Sequence, residues 1–143
     1  MTILEYRRQH VECAILKYFP GLRIPTGTGA SVITIPYWGT QASEMHHIVP
    51  RSAALKRFRD DLRNLIHLHQ ASHQFVTEFS VPGTVMCLLA KSEMGELDLR
   101  FLSECCGRDV LEFVQADDTA RQCARWDWMT GLHHELKLEL GLR

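Results

Sequence analysis

One segment in the middle of the chain constrains the fold most, because its local patterns predict four pieces of structure in a fixed order. Residues 45–49 are typical of a short β-strand, which Pro50 ends. Ser52 is placed to cap a short basic helix. Residues 65–69 predict a second strand, and residues 71–79 predict a helix. The sequence therefore predicts a strand, a connection, a second strand and a helix.

The flanking sequences predict mostly helices. A capping-box pattern and apolar residues at helical spacing predict one first helix over residues 3–18. Residues 31–35 form a β-prone run between stretches rich in glycine and proline. Turn-forming residues at 80–83 are expected to end the helix before them. Further helical patterns begin near Asp109 and Asp118.

The composition predicts one globular domain over residues 1–143. The chain is 45% hydrophobic and 23% charged, with a formal net charge of −1. No overall basic field exists, so a nucleic-acid partner would have to meet a local patch. Apolar stretches such as 85–90 are too short to cross a bilayer, and the first residues lack the apolar core of a secretory signal. We therefore expect a cytoplasmic protein with no membrane partner.

Histidine is unusually concentrated in this chain. Five of its eight histidines lie within one short stretch, and these are His46, His47, His67, His69 and His73. His46 and His47 are neighbours on a predicted strand, so their side chains point to opposite faces and cannot do the same job in one flat site. One of them can bind a metal while the other reaches water. His67 is expected to be structural or to contact DNA.

Three short motifs together resemble the HNH nuclease family, which has the ββα-metal fold. They are E-M-H-H-I-V-P-R-S at residues 44–52, L-R-N-L-I at 62–66 and S-H at 72–73. The family pattern of a His or Asp, a second His, an Asn and a final His on a helix falls on His46, His47, Asn64 and His73. The resemblance covers about residues 44–80. It implies a single α+β domain in which a ββα-metal motif is embraced by N- and C-terminal helices.

The resemblance implies a metal-dependent DNA endonuclease or nickase that acts with one divalent metal ion. It assigns metal binding to His46 and His73, and the general base to His47. Phosphodiester hydrolysis needs an activated water, a cation on the phosphate oxygens and help for the leaving oxygen. Asn64 is expected to hydrogen-bond backbone across the connection and to fix the loop that carries His47. Products with a 5′ phosphate and a 3′ hydroxyl are implied.

The ligand types bear on which metal is used, among Mg²⁺, Mn²⁺, Ni²⁺ and Zn²⁺. Two neutral imidazoles suit Zn, Ni, Co or Mn better than the hard Mg²⁺ ion, although substrate phosphate can complete a Mg²⁺ shell. We therefore expect Mn²⁺ or Ni²⁺ to rival Mg²⁺ in activity. His69, four residues before His73, becomes a third ligand if the helix begins early, and points elsewhere if the strand continues.

Basic residues lie beside the histidines. Residues 50–63 carry a net charge of +3, with two acids among them. Beside a phosphate-cutting site, these basic side chains are expected to position DNA without reading its sequence. The predicted phosphate contacts are Arg51, Lys56, Arg57, Arg59 and Arg63.

The cysteines depart from the family pattern. Many members carry C-x-x-C pairs that bind a structural zinc, whereas His69 and Ser72 stand at the corresponding downstream positions here. We therefore expect no structural zinc. The cysteine count is odd, which fits reduced thiols packed as small hydrophobes. The five cysteines are Cys13, Cys87, Cys105, Cys106 and Cys123.

Two other functions remain open. The first is a non-catalytic nucleic-acid-binding module with a degenerate metal site, whose DNA binding would not change in His47→Ala. The second is a small-molecule hydrolase that uses His46, His69 and His73, and it would need a deep pocket and a nearby carboxylate. Cutting both DNA strands requires a homodimer or two successive nicks. The small size favours a phage or mobile-element enzyme in the cytoplasm of a bacterial or phage-infected cell.

Overall fold

The computed structural model describes residues 1–19, 23–26, 31–34 and 41–142. Within these ranges the chain forms eight α-helices and two antiparallel β-hairpins, so the α+β class is confirmed. The predicted end of the first helix at residues 20–21, and Ile35 of the predicted 31–35 strand, lie outside the described residues.

The elements are numbered in chain order. They are α1 (Ile3–Gln9), α2 (Ala14–Tyr18), β1 (Arg23–Thr26), β2 (Ser31–Thr34), β3 (Glu44–His47), β4 (Leu65–Leu68), α3 (Gln70–Glu78), α4 (Ser80–Glu93), α5 (Leu99–Cys106), α6 (Val110–Gln115), α7 (Asp117–Cys123) and α8 (Asp127–Glu139). A 3-10 turn over Leu62–Asn64 precedes β4 directly.

The helix predicted over residues 3–18 is split into α1 and α2. Thr2 and Glu5 form the predicted capping box at the start of α1. The helix then stops, because the backbone after it bonds to a distant segment: Ala42 N–H donates to the Val11 carbonyl at 2.9 Å, and Glu12 forms a β-bridge with Gln41. Local spacing cannot reveal this competition, so the single-helix prediction is wrong.

The two hairpins are separate sheets. β1 pairs with β2, and β3 pairs with β4 in a register that places His46 opposite Ile66 and His47 opposite Leu65. The strand predicted over 45–49 begins one residue earlier and ends at His47. The strand predicted over 65–69 ends at Leu68.

The connection between β3 and β4 is not the basic helix that the sequence predicts. Residues 51–60 form successive turns, with Phe58 N–H donating to Leu55 O and Asp61 N–H donating to Phe58 O. Leu55 N–H donates to the Cys105 carbonyl on α5 at 3.0 Å, which removes a donor that a helix would need. The segment is therefore fastened to α5.

Helix α3 ends at Glu78, one residue before its predicted end, but residues 80–83 do not form a turn. A new helix, α4, begins at Ser80 with only Phe79 between the two. Pro82 lies in the first turn of α4, where its missing N–H is not needed. Gly83 lies against α3 so closely that a Cβ there would be 2.5 Å from Val76 Cα. The two helices thus meet backbone to backbone.

The core surrounds α4. Its residues 85–90 are all fully buried, as expected for a helix that is apolar on every side. α4 contacts α2, α3, α7 and α8, and one hydrophobic cluster extends from it to Ile48, Ile66 and Leu68 around the β3–β4 hairpin. The predicted C-terminal helical region is present as α6, α7 and α8. Four cysteines are buried, Cys106 is half-buried, and all five are free thiols.

Candidate active site

The β3 strand and helix α3 bring two of the predicted ligands together. The ring centroids of His46 and His73 lie 5.2 Å apart in an edge-on arrangement. His46 comes from β3 and His73 from the first turn of α3, and these two elements are in contact. The order β3, β4, α3 therefore brings together two imidazole rings that are twenty-seven residues apart in the sequence.

Glu44 fixes the orientation of the His73 ring. Glu44 and His46 are two residues apart on β3, so their side chains share the face that meets α3. His73 donates a hydrogen bond from Nδ1 to the Glu44 carboxylate. This leaves His73 Nε2 as the nitrogen with a free lone pair, the arrangement usual for a metal-binding histidine. From the sequence, Glu44 is the one acid close to His46 and a candidate only for the hydrolase alternative; its contact with His73 is not predicted, although the spacing of Glu44 and His46 signals a shared face.

His46 is held in the neutral form that a metal ligand requires. Burial lowers the pKa of His46 to about 4, with smaller contributions from the positive charges that His73 and His47 can carry. The two imidazole rings make a pair of nitrogen donors that fits a divalent transition metal.

His47 points away from this pair and meets a residue of the connection. Its Nε2–H donates to Asp60 Oδ1 at 2.8 Å. The pKa of the Asp60 carboxyl lies below its ordinary value, first because of this hydrogen bond and further because Arg51 and Arg59 lie nearby. With Nε2 occupied, Nδ1 is the nitrogen of His47 that can accept a proton.

Asn64 makes the backbone hydrogen bonds expected of it. Its side chain is completely buried. Its Oδ1 accepts from Val49 N–H at 2.7 Å, and its Nδ2 donates to Val49 O at 3.2 Å and to Arg59 O at 3.0 Å. The residue therefore ties the exit of β3 to the far end of the 51–60 connection.

His69 does not converge with His46 and His73. It lies between β4 and α3 as the N-cap of α3, and its Nδ1 accepts from Ala71 N–H at 3.1 Å. Among the described residues, the one group of three His, Cys, Asp or Glu ligand atoms within 4.8 Å of one another is exposed and acidic. It consists of Glu93, Glu135 and Glu139.

His67 belongs to the packing of the N-terminal segment. It is 4% exposed, and its Nδ1 donates to the His10 carbonyl at 2.6 Å. A buried ring with this partner cannot reach DNA, so the structural alternative for His67 is the one that the structure supports.

The five basic residues are not equivalent. Arg63 is bound to Asp61 through two hydrogen bonds of 2.9 Å, lies 3.6 Å from Asp98 and covers the ring of Phe101. It is thus turned towards α5 and its charge is compensated. Arg51 and Arg59 lie near the Asp60 carboxylate, and Lys56 and Arg57 are exposed on the same connection.

Searches of protein-family models, curated proteins and solved structures found no significant match to this chain. In the described residues, no helix is both long and apolar enough to cross a membrane.

Proposed function

We propose that this protein is a metal-dependent DNA endonuclease or nickase of the HNH type. The observation that carries the proposal is that His46 and His47, neighbours on β3, have different partners on opposite faces of the strand. His46 pairs with His73 on one face, while His47 is turned to the other and keeps one nitrogen free. The fourth residue of the proposed motif, Asn64, is buried and bonds to the backbone of Val49 and Arg59.

His46 and His73 would hold one divalent ion, with Mg²⁺, Mn²⁺, Ni²⁺ and Zn²⁺ as the candidates. The neutral state of His46 and the Glu44 hydrogen bond on His73 Nδ1 support this assignment. Such an ion, when bound, stabilises the negative charge on the phosphate and on the departing 3′ oxygen.

His47 would act as the general base. Its Nδ1 accepts a proton from the water that attacks the phosphorus in line, while Nε2–H remains on the Asp60 carboxylate. Asn64 does not touch the reacting atoms in this proposal. It holds the backbone at Val49 and Arg59, and so fixes both ends of the loop beside His47.

Phosphate groups flanking the cleaved bond would be held by Arg51, Arg59, Lys56 and Arg57. The charges of Arg51 and Arg59 act on the Asp60 carboxylate, which is the hydrogen-bond partner of His47. Arg63 is left out of the proposed contacts because Asp61 and Asp98 already compensate its charge. These contacts would position DNA without selecting a sequence.

A plasmid-nicking assay with a panel of metal ions tests the proposal. We expect the wild type to convert supercoiled DNA to open circles with Mn²⁺ or Ni²⁺ at least as well as with Mg²⁺, and not in EDTA. His46→Ala and His73→Ala should lose this activity, because each removes one of the two ligands. His134→Ala, which removes an exposed histidine on α8, is the matched control and should cut normally.

Two results would contradict the proposal. Absence of cutting with every metal, together with a DNA gel shift, would favour a non-catalytic binding module. A strict Mg²⁺ requirement would contradict the assignment of two imidazoles as the metal ligands.

A further inference from the structure

We propose that Asp60 is a positioning residue for His47, and this inference rests on the proposed function. The carboxylate holds the imidazole through Nε2 and thereby presents Nδ1 to the attacking water. No motif in the sequence assigns Asp60 a role, since it stands in the basic segment as one of two acids.

The contact has the geometry of an orienting hydrogen bond. His47 Nε2 and Asp60 Oδ1 are 2.8 Å apart, and the His47 side chain is only 22% exposed whereas that of Asp60 is 63% exposed. An imidazole can carry its proton on either nitrogen and can rotate about its own bonds, so a fixed acceptor on Nε2 selects one tautomer and one ring orientation.

The backbone explains how an exposed carboxylate stays on this ring. His47 and Asp60 are thirteen residues apart, at opposite ends of the connection. Asn64 bonds to Val49, two residues after His47, and to Arg59, which directly precedes Asp60. One buried amide therefore fastens both ends of the loop and sets the distance between the two partners.

If the contact only stabilised the fold, removing Asp60 would lower the melting temperature, and activity would fall with the amount of folded protein. Exposed pairs contribute little to stability, so removing Asp60 should leave the melting temperature almost unchanged. Asp60 also lies beside Arg51 and Arg59, and removing its negative charge should not weaken DNA binding. A loss of kcat without a rise in KM is therefore specific to the positioning role.

The experiment compares steady-state cleavage of a labelled DNA duplex in Mn²⁺ by the wild type, Asp60→Ala, Asp60→Asn and Glu112→Ala. We expect kcat of Asp60→Ala to fall about 10- to 100-fold with KM unchanged or lower. Asp60→Asn should retain more activity than Asp60→Ala, because its amide oxygen can still accept from Nε2–H. Glu112 is an exposed acid on α6, so Glu112→Ala should behave as the wild type.

The outcomes separate the two proposals. If the wild type cuts and Asp60→Ala cuts with the same kcat, or loses activity only through KM, the positioning role is overturned and the nuclease function stands. If the wild type fails to cut with any metal, the nuclease function is overturned, and the role of Asp60 falls with it.

Discussion

At the scale of single residues, Asn64 makes the most demanding set of contacts in the candidate site. Its amide is fully buried and makes three hydrogen bonds to the backbone of Val49 and Arg59. Removing it leaves the buried peptide groups of Val49 without their partner. A buried donor or acceptor without a hydrogen-bond partner destabilises the folded state, because it has lost its hydrogen bonds to water without replacing them.

We predict that Asn64→Ala lowers the free energy of unfolding by about 3 kcal/mol. Chemical denaturation measures this change. Gln115→Ala, which removes an exposed amide on α6, is the control and should change stability by less than about 0.5 kcal/mol. Equal effects of the two substitutions would show that the Asn64 amide does not clamp the connection.

The sequence identifies the histidines of the candidate site, but not the acidic residues that bond to the site and its basic neighbours. The resemblance assigns His46 and His73 to one metal ion, and the structure brings their rings together because β3 contacts α3. The Asp60 contact with His47 depends instead on how successive turns shape residues 51–60, and no periodic pattern encodes that path. The compensation of Arg63 by Asp98 likewise depends on where α5 packs.

At the scale of elements, helices α3 and α4 cross closely at a place where the sequence predicts a turn. Pro82 and Gly83 predict a turn, yet both lie inside α4. The glycine is there because a Cβ would be 2.5 Å from Val76 Cα and 2.7 Å from Val76 O. His73 lies one turn before Val76 on α3, so this crossing also supports the candidate site.

We predict opposite effects for alanine at two helical glycines. Gly83→Ala should destabilise the protein by at least about 2 kcal/mol, since the backbone of α3 would have to move. Gly131 in α8 has nothing within 4 Å of an added Cβ, so Gly131→Ala should stabilise by about 0.5–1 kcal/mol through helix propensity. Thermal unfolding of both variants checks this, and a change of the same sign would contradict the close crossing.

Other elements were mispredicted for a common physical reason. The first helix breaks where Val11 and Glu12 bond to residues 41–42, and the 51–60 connection unwinds where Leu55 bonds to Cys105. In both places a backbone group finds a partner far away in sequence. Helix spacing reports the local preference alone, and tertiary hydrogen bonds override it.

At the scale of the whole molecule, the fold surrounds a small strand–strand–helix unit with helices that supply its core. The net charge is close to zero, so the proposed attraction to DNA would rest on the exposed basic side chains of the connection. That connection is fastened to α5 through Leu55 and Cys105, and its ends are fixed by Asn64. The surrounding helices therefore brace this strand–strand–helix unit.

The most direct test of the central claim is single-turnover cleavage of supercoiled DNA in Mn²⁺ by the wild type and His47→Ala. Both proteins are used at concentrations that saturate the DNA in a gel shift, so that the fraction of DNA bound is the same for each. We predict that His47→Ala binds DNA and metal as the wild type does but cleaves at least about 100-fold more slowly, because it lacks the proposed general base. Equal cleavage rates for the two proteins would contradict the account.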